Sequence, residues 1–178
     1  EHEMKMFKRF AAALLAGVMV LAMLTACGGG SGTSTIGEEF ENKFIATLNT
    51  LRGEDAEELK NDTDMHDRAL AQLAKINEDG TIVVTDAYTS ITTPNADGKS
   101  VTVVAINVAT KGDPVNGVVQ AEEITAASLD KITTDGANEN TVATMRALKK
   151  IGIATKVING KTYMAIAIEM VQPVSNKT

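Results

Sequence analysis

The chain of 178 residues has no Trp, four Phe and two Tyr, so aromatic side chains make up only 3% of it. Little material is left for stacking on nucleobases or sugar rings. Basic residues are scarce as well: 17 Lys plus Arg stand against 23 Asp plus Glu, a net charge of −6. With no basic excess to neutralise phosphates, nucleic acid is excluded as a partner. A single Cys leaves no internal disulfide and no cysteine-rich zinc site. Two His, one of them His2, cannot build a multi-histidine metal centre. What remains, 44% hydrophobic and 22% charged, is ordinary globular composition.

The amino end is rich where the rest is plain. Lys5, Lys8 and Arg9 precede an uncharged apolar run from Phe10 to Leu24. That run is shorter than the roughly 20 residues of a transmembrane helix and fits the apolar region of a secretory signal. Leu24-Thr25-Ala26-Cys27 then resembles the lipobox of bacterial lipoproteins, in which the Cys thiol receives a diacylglycerol and the chain is cut just before it. Residues 1–26 are therefore expected to be a lipoprotein signal peptide, with Glu1-His2-Glu3, ahead of the first Met, read as non-native or read-through. Cys27 is the expected lipidation site, and the Gly/Ser/Thr-rich residues 27–37 a flexible tether. The expected location is extracytoplasmic, on the outer face of a bacterial membrane. Because the domain is acidic, membrane contact should come from the lipid alone.

Residues 38–172 read as one globular domain, followed by a tail at 173–178. Phe40, Phe44, Leu48 and Leu51 share one face of a helix expected from about Glu38 to Arg52, ended by Gly53. Met65, Ala69, Leu73 and Ile76 mark a second from about Asp62 to Asn77, with Asn61 to Asp64 supplying caps. The Val/Ile/Thr-rich runs Thr81–Tyr88 and Ser100–Thr110 predict strands, separated by a loop at Pro94–Gly98. Val101, Val103 and Ala105 alternate with Val104, Ile106 and Val108, which predicts a strand covered on both faces. Turns are expected at Gly112-Asp113-Pro114 and Asn116-Gly117, and helices at Ala121–Ile132 and Asn140–Lys150.

Asn159-Gly160 between two alternating runs predicts a two-residue hairpin turn. Counting outward sets Ile158 opposite Lys161, Ile153 opposite Ile166 and Ile151 opposite Ile168. One face then carries Ile151, Ile153, Val157, Met164, Ile166 and Ile168. The other carries Gly152, Ala154, Ala165 and Ala167, small enough for a helix to approach closely. The expected fold is α+β, a three-layer α/β/α sandwich with a small, mainly antiparallel sheet ending in a β-hairpin.

Chemical motifs are thin. Asp62-Thr63-Asp64-Met65-His66-Asp67 starts like a calcium loop but has His66 at the fifth position and Asp67 where the turn needs glycine. It reads better as a capped helix start. His66, flanking an apolar stripe, reads as a structural histidine, with neither Cys nor a second His in the domain to share a metal. No G-x-S-x-G, G-x-G-x-x-G or phosphate loop is present in the domain. Glu122-Glu123 reads most simply as a solvated pair.

Several segments nevertheless fall in a familiar order. They are Leu48-Asn49-x-x-Arg52; Leu59-x-x-Asp62-x-x-Met65-x-x-x-Ala69; Tyr88 to Pro94 with Asp97-Gly98-Lys99-Ser100; Ile106-Asn107-Val108-Ala109; and Lys150 to Ala154 with Asn159 to Tyr163. Together, over about residues 41–171, they resemble the CAP superfamily of SCP-like extracellular domains. That resemblance implies a cleft with two His and two Glu able to hold a divalent metal. Here Ile91 and Ile106 replace the first His and one Glu, and no His stands near Ala137 to Asn140. Glu122 or Glu123 takes the place of the other Glu.

The resemblance thus implies a degenerate cleft around Ser90, Ile91, Ile106, Asn107, Glu122, Glu123 and Asn138, with no metal, no cofactor and no catalytic residue. The leading expectation is a lipid-anchored pseudoenzyme binding a small apolar ligand, a lipid or an envelope partner. The alternative is an accessory envelope lipoprotein acting through surface contacts without a pocket. A hydrolase using Glu123 or His66 ranks last.

Overall fold

The computed structural model describes residues 35–174. The signal segment, Cys27 and most of the tether lie outside them. Helix α1 (Thr35–Arg52) begins before the expected Glu38 and buries Phe40, Phe44 and Leu48. The rings of Phe40 and Phe44 stack with centroids 6.2 Å apart. Gly53, at φ 86°, ends the helix in the left-handed region that glycine tolerates. Helix α2 (Thr63–Leu73) is capped by Asp62, whose carboxylate accepts the Met65 N–H at 3.0 Å. It stops short of Asn77 because tight turns at Lys75 and Ile76 lead into the bond from Asn77 N–H to Thr81 O.

The strand expected at Thr81–Tyr88 forms only at its start, and a second strand, in the other sheet, begins at Tyr88. Strand β1 (Thr81–Val83) gives way to one helical turn, α3 (Val84–Ala87), and β2 (Tyr88–Pro94) follows. The turn is needed because β1 pairs with one sheet and β2 with the other. Next come β3 (Ser100–Val108), β4 (Thr110–Val115), β5 (Val118–Ala121) and β6 (Glu123–Ile124). Gly112-Asp113-Pro114, expected as a turn, lies inside β4, where the ladder breaks between Lys111 and Val115. Asn116-Gly117 does turn the chain.

The helix expected at Ala121–Ile132 is reduced to α4 (Ala126–Asp130). Tertiary pairing overrides helical propensity here: Ala121 N–H bonds to Gly80 O and Glu122 N–H to Ala109 O. Helix α5 (Glu139–Ala147) likewise ends before Lys149-Lys150, which join β7 (Leu148–Ile158). Strand β8 (Lys161–Pro173) extends past residue 172, and Val174 N–H bonds to Lys99 O at 2.7 Å.

The fold is mixed α+β: among the described residues, five helices and two antiparallel sheets, with helices packed on the larger sheet. The smaller sheet has the order β1-β5-β4. In the larger, β8 is central; β7 runs along one side of it, and β3 followed end to end by β6 along the other. Strand β2 lies outside β3. The long edges are therefore β2 and β7, with the two-residue β6 a short third.

The hairpin has the expected register: Ile158–Lys161, Ile153–Ile166 and Ile151–Ile168 are partners. Phe40, Phe44, Leu48, Met145, Ile151, Ile153, Ile166 and Ile168 belong to one hydrophobic cluster. Met65, Ala69, Leu73, Ala154, Ala165 and Ala167 belong to another on the opposite face. Each fully buried aliphatic or Phe side chain contributes about 2 kcal/mol. Gly152 sets how near α2 comes, because a Cβ there would run into the Met65 and His66 backbone. Val157, expected on the buried face, is 46% exposed near the hairpin tip.

Candidate functional site

The register places the expected cleft residues strand by strand. Ile91 pairs with Val104 and Ile106 with Thr89, so Ile91 and Ile106 lie one diagonal step apart on one face. Ile106 is 9% exposed and Ile91 57%. Ser90 pairs with Ala105 and Asn107 with Tyr88, on the opposite face. Glu123 pairs with Tyr163 in β6, while Asn138 caps α5, accepting the Thr141 N–H at 2.9 Å. The set is divided between two faces and a helix end.

Glu122 is buried, 7% exposed, and desolvation raises its pKa, with Lys111 and Lys131 pulling the other way. Burial also raises the Tyr163 hydroxyl pKa, and the charges of Glu123 and Asp79 add to it. In the Asp79 and Asp97 turns, hydrogen bonds from Thr81 and from Lys99 and Ser100 hold both carboxyls below their ordinary range.

His66 lies 3.7 Å from both Glu41 and Asp67, beyond hydrogen-bond reach. Glu41 is already engaged: its Oε1 accepts the Thr155 N–H at 2.8 Å and the Thr155 hydroxyl at 3.0 Å. The Thr155 hydroxyl thus donates to the same carboxylate oxygen that accepts its own backbone N–H, a pairing that fixes α1 on β7. Among the described residues, no group of three or more His, Cys, Asp or Glu is placed to hold a metal ion. None of the described helices is long and apolar enough to cross a membrane.

The motif residues near α1 have structural partners. Asn49 clamps Leu59 from both sides, donating to its carbonyl at 2.7 Å and accepting its N–H at 2.9 Å. Arg52 is buried and donates to the carbonyls of Met145, Leu148 and Glu57. Burial lowers its pKa, and Glu57 partly offsets that. Asn61 does for Ile153 what Asn49 does for Leu59, with two bonds of 2.9 Å, and Asp62 N–H bonds to Ile151 O. Sequence reasoning missed Glu41 and Asn61 as guards of the β7 edge, since their partners are 114 and 92 residues away.

Among the described residues, no strand or side-chain guard covers the outer side of the other edge. Strand β2 is uncharged from Tyr88 to Pro94 and, among the described residues, has β3 as its only strand neighbour. The sequence signal was there, a Thr/Ile run closed by Pro94, but only the topology shows that it is an edge. No protein-family model matches the chain, and neither does a curated protein or a solved structure.

Proposed function

We propose that the chain is an extracytoplasmic bacterial lipoprotein, held at a membrane by lipid on Cys27, whose folded part is non-catalytic and works through surface contacts along β2. The observation that carries this reading is Ile91, 57% exposed in an uncharged edge strand. A large apolar side chain beside bare backbone donors and acceptors suits protein contact better than chemistry. Polar groups elsewhere support it, because Glu41, Asn49, Arg52, Asn61 and, from the expected cleft, Asn138 are engaged in bonds to backbone.

The narrower fold reading is a three-layer α/β/α scaffold of the CAP-like kind. The hydrophobic clusters on both faces of the larger sheet support it, and in it Leu48-Asn49-x-x-Arg52 is a structural motif. A second reading, an apolar ligand held between Ile91 and Ile106, is favoured by their shared face.

Two measurements test the proposal. Mass spectrometry of membrane-bound protein should find a diacylglyceryl group on Cys27, and Cys27→Ser should release the protein from the membrane. A photo-crosslinking residue at position 91 should form protein adducts in intact envelopes, while one at position 157, also exposed but on the guarded edge, should form none. Equal adducts at both positions, or none at 91, would refute the surface reading.

A further inference from the structure

The β2–β3 register fixes which backbone groups of β2 face outward. Asn95 N–H bonds to Ser100 O at 3.0 Å. In the same phase, Thr93–Thr102, Ile91–Val104 and Thr89–Ile106 are the pairs that exchange hydrogen bonds. Ser90 and Thr92 therefore turn N–H and C=O away from β3. Pro94 shares that phase, so its donorless nitrogen also faces out, where a strand tolerates it. The β2 ladder has no bulge and the strand no charge, so it lacks two common devices that blunt an edge.

We propose that β2 pairs antiparallel with β2 of a second copy of this chain, about a two-fold axis through Ile91. This rests on the surface-contact reading and names its partner. Such pairing sets Ile91 opposite Ile91, Ser90 opposite Thr92 and Thr89 opposite Thr93. Every match is neutral, and the outward groups of Ser90 and Thr92 form four main-chain hydrogen bonds across the seam. In a chain of net charge −6, a charge-free strand is where two copies meet without repulsion.

Side chains agree with the backbone. Lys150, Glu169, Val104 and Ile91 form one cross-strand row, charged at the β7 end and apolar at the β2 end. The second copy continues that row with its own Ile91 and Val104. Because Asn61, Asp62 and Glu41 occupy the β7 edge, the larger sheet offers one long open edge, and pairing through it closes at two instead of growing into a filament. One strand edge buries less than the roughly 800 Å² per partner of a standard interface, so the dimer is weak in dilution. Confinement of lipid-anchored copies to one membrane raises their effective concentration and favours it.

The test uses the full chain with Cys27→Ser, so that an introduced Cys is the only one, in mild detergent at a protein concentration high enough to stand in for confinement at the membrane. Ile91→Cys should form an oxidised dimer, because a non-hydrogen-bonded antiparallel pair holds its Cα atoms about 4.5 Å apart, within the roughly 4.4–6.8 Å a disulfide spans. Val157→Cys should crosslink about tenfold more slowly, the ratio a tenfold population difference would give. Thr92→Pro removes an outward donor and should slow the Ile91→Cys reaction by a similar factor while circular dichroism and the unfolding midpoint stay put. If Thr92→Pro unfolds the chain, Thr92→Lys, which brings two cations near the axis, should slow it instead. Equal rates at 91 and 157, or indifference to both Thr92 changes, overturns the dimer. A position-91 photo-adduct in envelopes with a protein of different mass also overturns it but leaves the surface reading standing. No adduct at 91 removes both.

Discussion

The two edges of the larger sheet meet the same physical problem, a row of unpaired backbone groups, in opposite ways. The β7 edge is closed by side chains brought from α1 and from the segment before α2: Glu41 on Thr155, Asn61 on Ile153, with Asp62 N–H on Ile151. The β2 edge carries Thr, Ser and an exposed Ile and is left to water or to another chain. An edge blocked within the fold serves stability; an edge left open and uncharged leaves its backbone groups free to pair. The difference separates residues that hold the domain together from residues that can be changed without harming it.

Five changes break or sharpen that contrast. Gly152→Val should be the most damaging, because its Cβ would collide with the α2 backbone behind the guarded edge. We expect a loss of about 3 kcal/mol or more in urea unfolding; a loss under about 1 kcal/mol would mean that α2 slides freely. Asn61→Ala should cost about 2 kcal/mol, two hydrogen bonds at about 1 kcal/mol each. By exposing Ile153 it should also admit species larger than a dimer, seen by light scattering.

Glu41→Ala should cost about 1 kcal/mol, since water can reach part of the Thr155 site. Hydrogen exchange at the Thr155 amide should quicken, and an unchanged rate would remove Glu41 from the edge. Ile91→Thr, on the open edge, should stay within about 0.5 kcal/mol of the parent, as exposed sites do. It should nevertheless weaken self-pairing, as read by sedimentation.

Glu122→Gln is the control away from both edges, and its effect depends on pH. Burial raises the folded Glu122 pKa, so its contribution to stability is full below the ordinary carboxyl value of about 4.3 and is lost as pH rises through the folded value. The substitution should therefore raise the melting temperature at neutral pH and lose that advantage in acid. An equal gain at both pH values would show that the carboxylate charge is not the cause.

How much was legible in the sequence follows from the range of the information. Asn159-Gly160 and the alternation around it gave the hairpin register to the residue, because a two-residue turn fixes its own strands. The small stripe through Gly152, Ala154, Ala165 and Ala167 foretold a close helix, which is α2. Residues 121–125 are extended and not helical because their partners are distant: Gly80 and Ala109 take the N–H groups of Ala121 and Glu122, and β8 pairs with Glu123 and Ile124. The break at Val84 was invisible for a similar reason, since it marks a change of sheet. The cleft expected from the CAP-like segments mixed residues of alternate parity on β2 and β3, and strand geometry sends those to opposite faces. Cys27, the plainest functional signal in the sequence, lies outside the described residues.

The partners of α1 carry a consequence for how the protein is made. Lys43 bonds to Leu129, Arg52 to Met145 and Glu41 to Thr155, separations of 86, 93 and 114 residues. Among the described residues, the first helix therefore finds some of its partners in α4 and α5 and the rest only when the last hairpin follows. A nascent chain halted before Leu148 has neither β7 nor β8, so Phe40 and Phe44 lack the Ile151, Ile153, Ile166 and Ile168 of their cluster. Maturation is a late, concerted event, and stalled products should be cleared by proteases that leave the finished protein intact.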